Sequence, residues 1–98
     1  MAILITISAT GTSDAFTVMG NGFDLGLTMT GTNSVTVEQD IGGAWYTVGS
    51  AITTTGGTSV TANSRPATFR LNCGTFDTSD ITGAIEGNVV EGALTIAA

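Results

Sequence analysis

The chain has 98 residues and a formal net charge of −6; 10% of its residues are charged, it has no His, and its two cations are Arg65 and Arg70. That balance excludes a nucleic-acid-binding face, which needs several phosphate-neutralising cations, and it excludes anchoring on anionic membranes for the same reason. A charge content far below the usual ~25%, combined with abundant β-branched residues, also argues against disorder; it leaves too little charge for a fully solvated surface, so much of the surface is expected to lie under other protein.

The hydrophobic period along the chain is two. The first expected strand covers 2–8, where Ile3, Ile5 and Ile7 share a face. Asp14 sets a turn before strands at 15–19 and 23–30, and in the latter Phe23, Leu25, Leu27 and Met29 alternate with Asp24, Gly26, Thr28 and Thr30. "TGTN" (Thr30–Asn33) and "DIGG" (Asp40–Gly43) carry the Gly and Asn that hairpin turns need for positive φ. They bracket a strand at 33–39, with Val35 and Val37 on one face. Strands at 44–49, 51–54 and 58–62 follow, with "TGGT" (Thr55–Thr58) and "NSRP" (Asn63–Pro66) as loops. Pro66 has no donor for a ladder and belongs at a strand start or an edge. In the next strand, 67–73, Phe69, Leu71 and Cys73 alternate with Arg70 and Asn72; the last, 84–96, reads as one strand or as two broken near Gly87 or Gly92.

Strict alternation marks half-buried strands with one covered face. No window carries a period of 3.6, and about a third of the residues are Gly or Thr, both poor helix formers. The expected fold is one domain over 1–98, an all-β, small antiparallel β-sandwich of Ig-like or jelly-roll-like kind with almost no helix. Trp45 is expected to be its largest core side chain, with Phe16, Phe23 and Phe69 around it.

Chemistry finds little support. Without His or Lys, a Ser or Cys nucleophile lacks a common general base, and Cys73 shares the apolar face of Phe69 and Leu71. The eight carboxylates are scattered, which disfavours the paired acids of glycoside hydrolysis. Zinc needs Cys and His ligands. "DTSD" (Asp77–Asp80) and "EQD" (Glu38–Asp40) are the densest oxygen clusters, but the first lacks the EF-hand spacing and reads as an acidic turn. No catalytic, cofactor or metal residue is assigned, and the chain is not expected to be an enzyme. A lone cysteine suits a reducing compartment. "MAILITISA" lacks the basic start of a secretory signal, so passage through a translocon is not expected.

The ends are the more informative segments. "MAILITIS" and "GALTIAA" are apolar, β-prone and nearly uncharged, and free at a sheet edge they would invite pairing with another chain. They pair either with the domain's own sheet or, as assembly arms at 1–8 and 90–98, with a neighbouring subunit. The candidate assembly residues are Ile3, Ile5, Ile7, Leu94 and Ile96. Arg65 and Arg70 are added because either could hold a partner's carboxylate; a solvated charge is the alternative for each.

The stretch "DAFTVMGNGFDLGLTMTGTNSVTVEQDIGGAWYTV" followed by "ATFRLNC" resembles a group of small virion proteins of tailed bacteriophages. Their pattern is a Phe-led alternating strand, a Ser/Thr-Gly step, a "TVTLQ"-like strand, a Gly-containing turn followed by a Trp, and a later "YRL"-like strand. The matching positions are Phe23 to Leu27, Thr30-Gly31, "SVTVEQ", "DIGG", Trp45-Tyr46 and Phe69-Arg70-Leu71, within roughly residues 14 to 73. Asp40 stands where the group has a basic residue, and the turn is shorter. The resemblance implies a structural protein of the virion, assembled in the host cytoplasm. The first expectation is a capsid decoration (cement) protein that binds itself and the major capsid protein or other virion proteins. A tail or head–tail junction subunit is the alternative, and a carbohydrate- or receptor-binding sandwich using Trp45-Tyr46 is a further one.

Overall fold

A computed structural model describes residues 2–62 and 66–97. The strands are β1 (Ala2–Ile7), β2 (Gly11–Thr12), β3 (Phe16–Thr28), β4 (Ser34–Ile41), β5 (Ala44–Ile52), β6 (Gly56–Thr61), β7 (Ala67–Thr75), β8 (Ile81–Val89) and β9 (Gly92–Ile96). No helix occurs among the described residues. The strands form one nine-stranded sheet in the order β5-β4-β7-β3-β8-β1-β9, with β2 beside β7 and β6 beside β3. The sheet is open: β5 and β9 are its two ends.

The alternation seen in the sequence becomes the two faces of this sheet. In β7, Ala67, Phe69, Leu71 and Cys73 are buried while Thr68, Arg70 and Asn72 are not. The same pattern buries Ile3, Ile5 and Ile7 of β1 and Phe23, Leu25 and Leu27 of β3. β3 is the pivot. Its start pairs with β7 (Phe16↔Phe69), and its later part lies between β6 (Leu25↔Thr58) and β8 (Leu25↔Ile85). Its pairing shifts register between Val18 and Phe23, as at a bulge, which bends a strand and increases its twist. A flat single sheet leaves both faces open to water. Val35 in one wing and Ile85 in the other are both 0% exposed, so the wings on either side of β3 share one hydrophobic core.

Phe16, Phe23 and Phe69 occupy the centre of that core. Phe23 meets Phe69 edge-on at 5.0 Å and Phe16 edge-on at 5.3 Å, and Phe16 stacks on Phe69 at 6.1 Å. Trp45 is not the core residue the sequence suggested. It is half-buried on the outer face of β5, because its place in the alternation of that strand is opposite to that of Val48, the residue that meets buried Val37; no residue from Asp40 to Thr47 is buried.

The β4–β5 turn is as expected from "DIGG". Ile41 pairs with Ala44 across a two-residue loop, and Gly42 and Gly43 take φ values of +64° and +91°, the tight turn that needs glycine at both positions. Asp40 Oδ1 accepts from the Gly43 N–H at 3.0 Å.

Other expectations change. The sheet is mixed rather than antiparallel, because β1 and β9 run parallel (Ile5↔Leu94). "TGTN" is not a hairpin, since β3 and β4 are not neighbours. Two of its bonds cross to the β7–β8 loop instead, with the Thr32 N–H donating to Asp77 Oδ2 (2.8 Å) and the Asp77 N–H to Asn33 Oδ1 (2.9 Å); within the segment Asn33 Nδ2 donates to the Thr30 carbonyl (3.0 Å). The expected strands 15–19 and 23–30 are one bent strand, and 44–49 and 51–54 are also one. β8 begins earlier than expected, at Ile81, and the last segment breaks at Val90–Glu91. "TGGT" is mostly strand, with Gly56–Thr58 inside β6, and β2 has no counterpart among the expected strands because two residues are too few for a periodic signal. Pro66 directly precedes β7.

Candidate functional site

Both chain ends are part of the domain's own sheet: β1 pairs with β8 on one side and β9 on the other. Ile3, Ile5, Ile7, Leu94 and Ile96 are at most 5% exposed. Their side chains therefore build the core, and these strands can offer a partner only the free backbone edge of β9 and their outward residues. Leu4 is the conspicuous outward residue, 64% exposed. The sequence carried its signal, an apolar residue on the face opposite Ile3, Ile5 and Ile7.

Arg70 already holds a carboxylate of its own chain. Its Nε donates to Glu38 Oε1 at 2.7 Å, across the Glu38↔Arg70 pair of β4 and β7. Asn72 Nδ2 donates to the other oxygen of Glu38 at 3.3 Å. The Arg70 guanidinium lies 4.4 Å from the centre of the Trp45 ring, a cation–π contact. One face of that ring is thus turned to Arg70, while Tyr46, its neighbour, points to the opposite side of the strand and is 55% exposed. Arg65 lies outside the described residues.

A surface depression of about 660 Å³ lies on the outer face of β6, β3 and β8. Its lining includes Gly26, Gly57 and Ala84, with Asp24, Glu86 and Ser59 at one end. Asp24 and Glu86 stand directly opposite each other in the β3–β8 register, an arrangement that like charges disfavour. The Ser59 hydroxyl donates to Asp24 Oδ1 at 2.6 Å. In the next row, Gly57, Gly26, Ala84, Leu4 and Ala93 follow one another across β6, β3, β8, β1 and β9. The result is a small-residue apolar strip beside two carboxylates that no cation among the described residues pairs with. The sequence did not show it, because no local window contains residues from five strands.

A third surface is the overhanging hairpin. Ile41 and Tyr46 are 54% and 55% exposed on the face that, further along the same strands, carries buried Val37 and half-buried Val48.

Cys73 is buried, and its thiol donates to the Thr75 carbonyl at 3.3 Å. Burial pushes the thiol above its ordinary range, and the Thr75 contact offsets this only in part, so the reactive thiolate is disfavoured. Asp77, from the densest acidic cluster of the sequence, has a carboxylate oxygen engaged by the Thr32 N–H. Among the described residues no three His, Cys, Asp or Glu side chains converge. No family model, no curated protein and no solved structure matches this chain.

Proposed function

We propose that the chain is a structural subunit of a tailed-phage virion, and specifically a capsid decoration protein that binds across neighbouring shell subunits. The observation that supports this reading best is the outer face of β6, β3 and β8. There an apolar strip of glycine and alanine backbone lies beside the opposed pair Asp24 and Glu86. Arg70, the one cation among the described residues, is committed to Glu38. The missing positive charge would then come from a partner, and a basic patch on a major capsid protein has the complementary chemistry. Small side chains let a partner's backbone approach closely, and the acidic surface repels packaged DNA. In this role the bent sheet acts as a small sandwich of Ig-like or jelly-roll-like kind, two wings closed on one core and presenting their outer faces.

The mechanism is mass action. A protein that binds the assembled shell better than its free subunits stabilises the shell by the free energy of that binding. Nothing in this mechanism requires catalysis or a cofactor. A tail or head–tail position uses the same surfaces; it differs in copy number, a closed ring against hundreds of scattered copies.

The test is binding to empty capsids, with the capsid melting temperature and the bound copy number as readouts. Wild type is expected to bind in many copies and to raise the melting temperature. Asp24→Lys with Glu86→Lys, which inverts the charge of the face and keeps one like-charged pair in place of another, is expected to fold and to lose binding. Unchanged capsid binding by that double variant would overturn the assignment of this face; a ring that ignores capsids would move the protein to the tail.

A further inference from the structure

We propose that β9 is a homotypic docking edge: it pairs antiparallel with β9 of a second copy about a two-fold axis through Thr95. The inference is independent of the capsid reading, since it concerns a different part of the molecule and a different partner.

The backbone geometry decides which groups are free. The Ser8 N–H donates to the Ile96 carbonyl at 2.8 Å, and Ile7 is the residue in register with Ile96. In a parallel ladder that places Ile96, and with it Leu94 and Gly92, with N–H and C=O turned toward β1. Ala93, Thr95 and Ala97 therefore turn theirs outward, and no strand among the described residues lies on that side. The other edges are protected. β5 carries a register shift against β4 and Gly49 at φ +77°, irregularities that blunt an edge. β6 faces β5 across a narrow cavity of about 300 Å³ lined by both strands. β9 has no bulge, no proline and no charge from Gly92 to Ala97. Beside its start a gap of about 380 Å³ separates Gly92, Ala93 and Leu94 from Asp14 to Thr17.

A two-fold pairing demands a self-complementary strand, and β9 is one. With the axis at Thr95, Thr95 meets its copy and Ala93 meets Ala97 of the other chain. The three outward residues of each copy then form about six inter-chain hydrogen bonds, since in hydrogen-bonded pairs each residue both donates and accepts. The opposed side chains are Thr on Thr, a favourable cross-strand pair, flanked by Ala on Ala, which cannot clash. The nearest charged side chain along the strand, Glu91, is four residues from the axis. Its two copies fall about 26 Å apart at ~3.3 Å per residue, beyond the screening length of about 8 Å at physiological salt, so they do not repel each other across the contact.

The test is the mass of the purified chain by sedimentation and light scattering over about a thousandfold concentration range. Thr95→Pro removes only an outward donor, and Thr95→Lys leaves the backbone intact but brings two cations together at the axis. The wild type is expected to move from monomer to dimer as concentration rises. Both variants are expected to stay monomeric, with melting temperatures equal to that of the wild type at concentrations where it too is monomeric. Thr95→Lys carries the test should Thr95→Pro fail to fold. A wild type monomeric throughout, or a folded variant that still dimerises, overturns the proposal. So does a wild type whose β9 edge becomes protected from hydrogen exchange only when empty capsids are added, because that edge then serves a different partner.

Discussion

Replacing Phe69 and, separately, Trp45 by alanine contrasts the two aromatic residues that compete for the centre of this fold. Phe69 is 0% exposed and touches both Phe16 and Phe23. Phe→Ala in a packed core costs about 3–5 kcal/mol, of which each aromatic pair supplies about 0.5–1.5 kcal/mol beyond its area. A domain of this size has a total stability of about 5–15 kcal/mol. Phe69→Ala therefore removes roughly a fifth or more of a typical stability, and the melting temperature falls by about 12 °C or more at ~4 °C per kcal/mol. Trp45 is half-buried on an outer face, and its specific contact is the Arg70 guanidinium at 4.4 Å. An exposed cation–π contact is worth about 0.5–1 kcal/mol; with some lost packing, Trp45→Ala costs about 1–2 kcal/mol. Urea unfolding followed by circular dichroism measures both, since removing Trp45 also removes the fluorophore. A Trp45 loss as large as the Phe69 loss would refute the placement of the core and return the tryptophan to its centre.

Gly83 and Gly26 are adjacent in space but differ in room. A methyl at Gly83 would collide with the Gly26 carbonyl and the Leu27 side chain, whereas a methyl at Gly26 meets nothing within 4 Å; Gly83→Ala is expected to lose about 1–3 kcal/mol and Gly26→Ala to be neutral or gain up to ~1 kcal/mol, both read by denaturant midpoint. Asp77→Ala removes the acceptor for the Thr32 N–H and is expected to cost about 1 kcal/mol, with faster hydrogen exchange at Thr32 as the local readout. Cys73 should resist a thiol reagent in the native state and react at once in denaturant. Its raised folded-state pKa means that the thiolate is favoured in the unfolded chain. Stability is then undiminished by this group below the unfolded thiol's value of ~8.5 and falls as pH rises from there toward the folded value; a Cys73→Ala variant should show less of that alkaline decline. In a double-mutant cycle, Glu38→Gln and Arg70→Met should couple by about 1 kcal/mol or less, because both side chains keep some contact with water.

The sequence by itself determined that this is an all-β chain. The two-residue period in "AILITI", "FDLGL", "SVTV" and "TFRLNC" assigned the faces of Ile3, Phe23, Val35 and Phe69 correctly, because a strand's sidedness is local. The "DIGG" turn was legible for the same reason: both of its glycines have positive φ within one tight loop. Which strands become neighbours was decided only by the tertiary structure. The bend near Val18 to Phe23 sends one strand into both wings and separates β3 from β4 despite the turn-like "TGTN" between them. The same long-range pairing brought β1 and β9 side by side in parallel, put Asp24 against Glu86, and left Trp45 outside the core. The candidate surfaces follow from these placements. A surface is a sum over strands distant in sequence, and no local period records which distant strand completes it or which edge is left free.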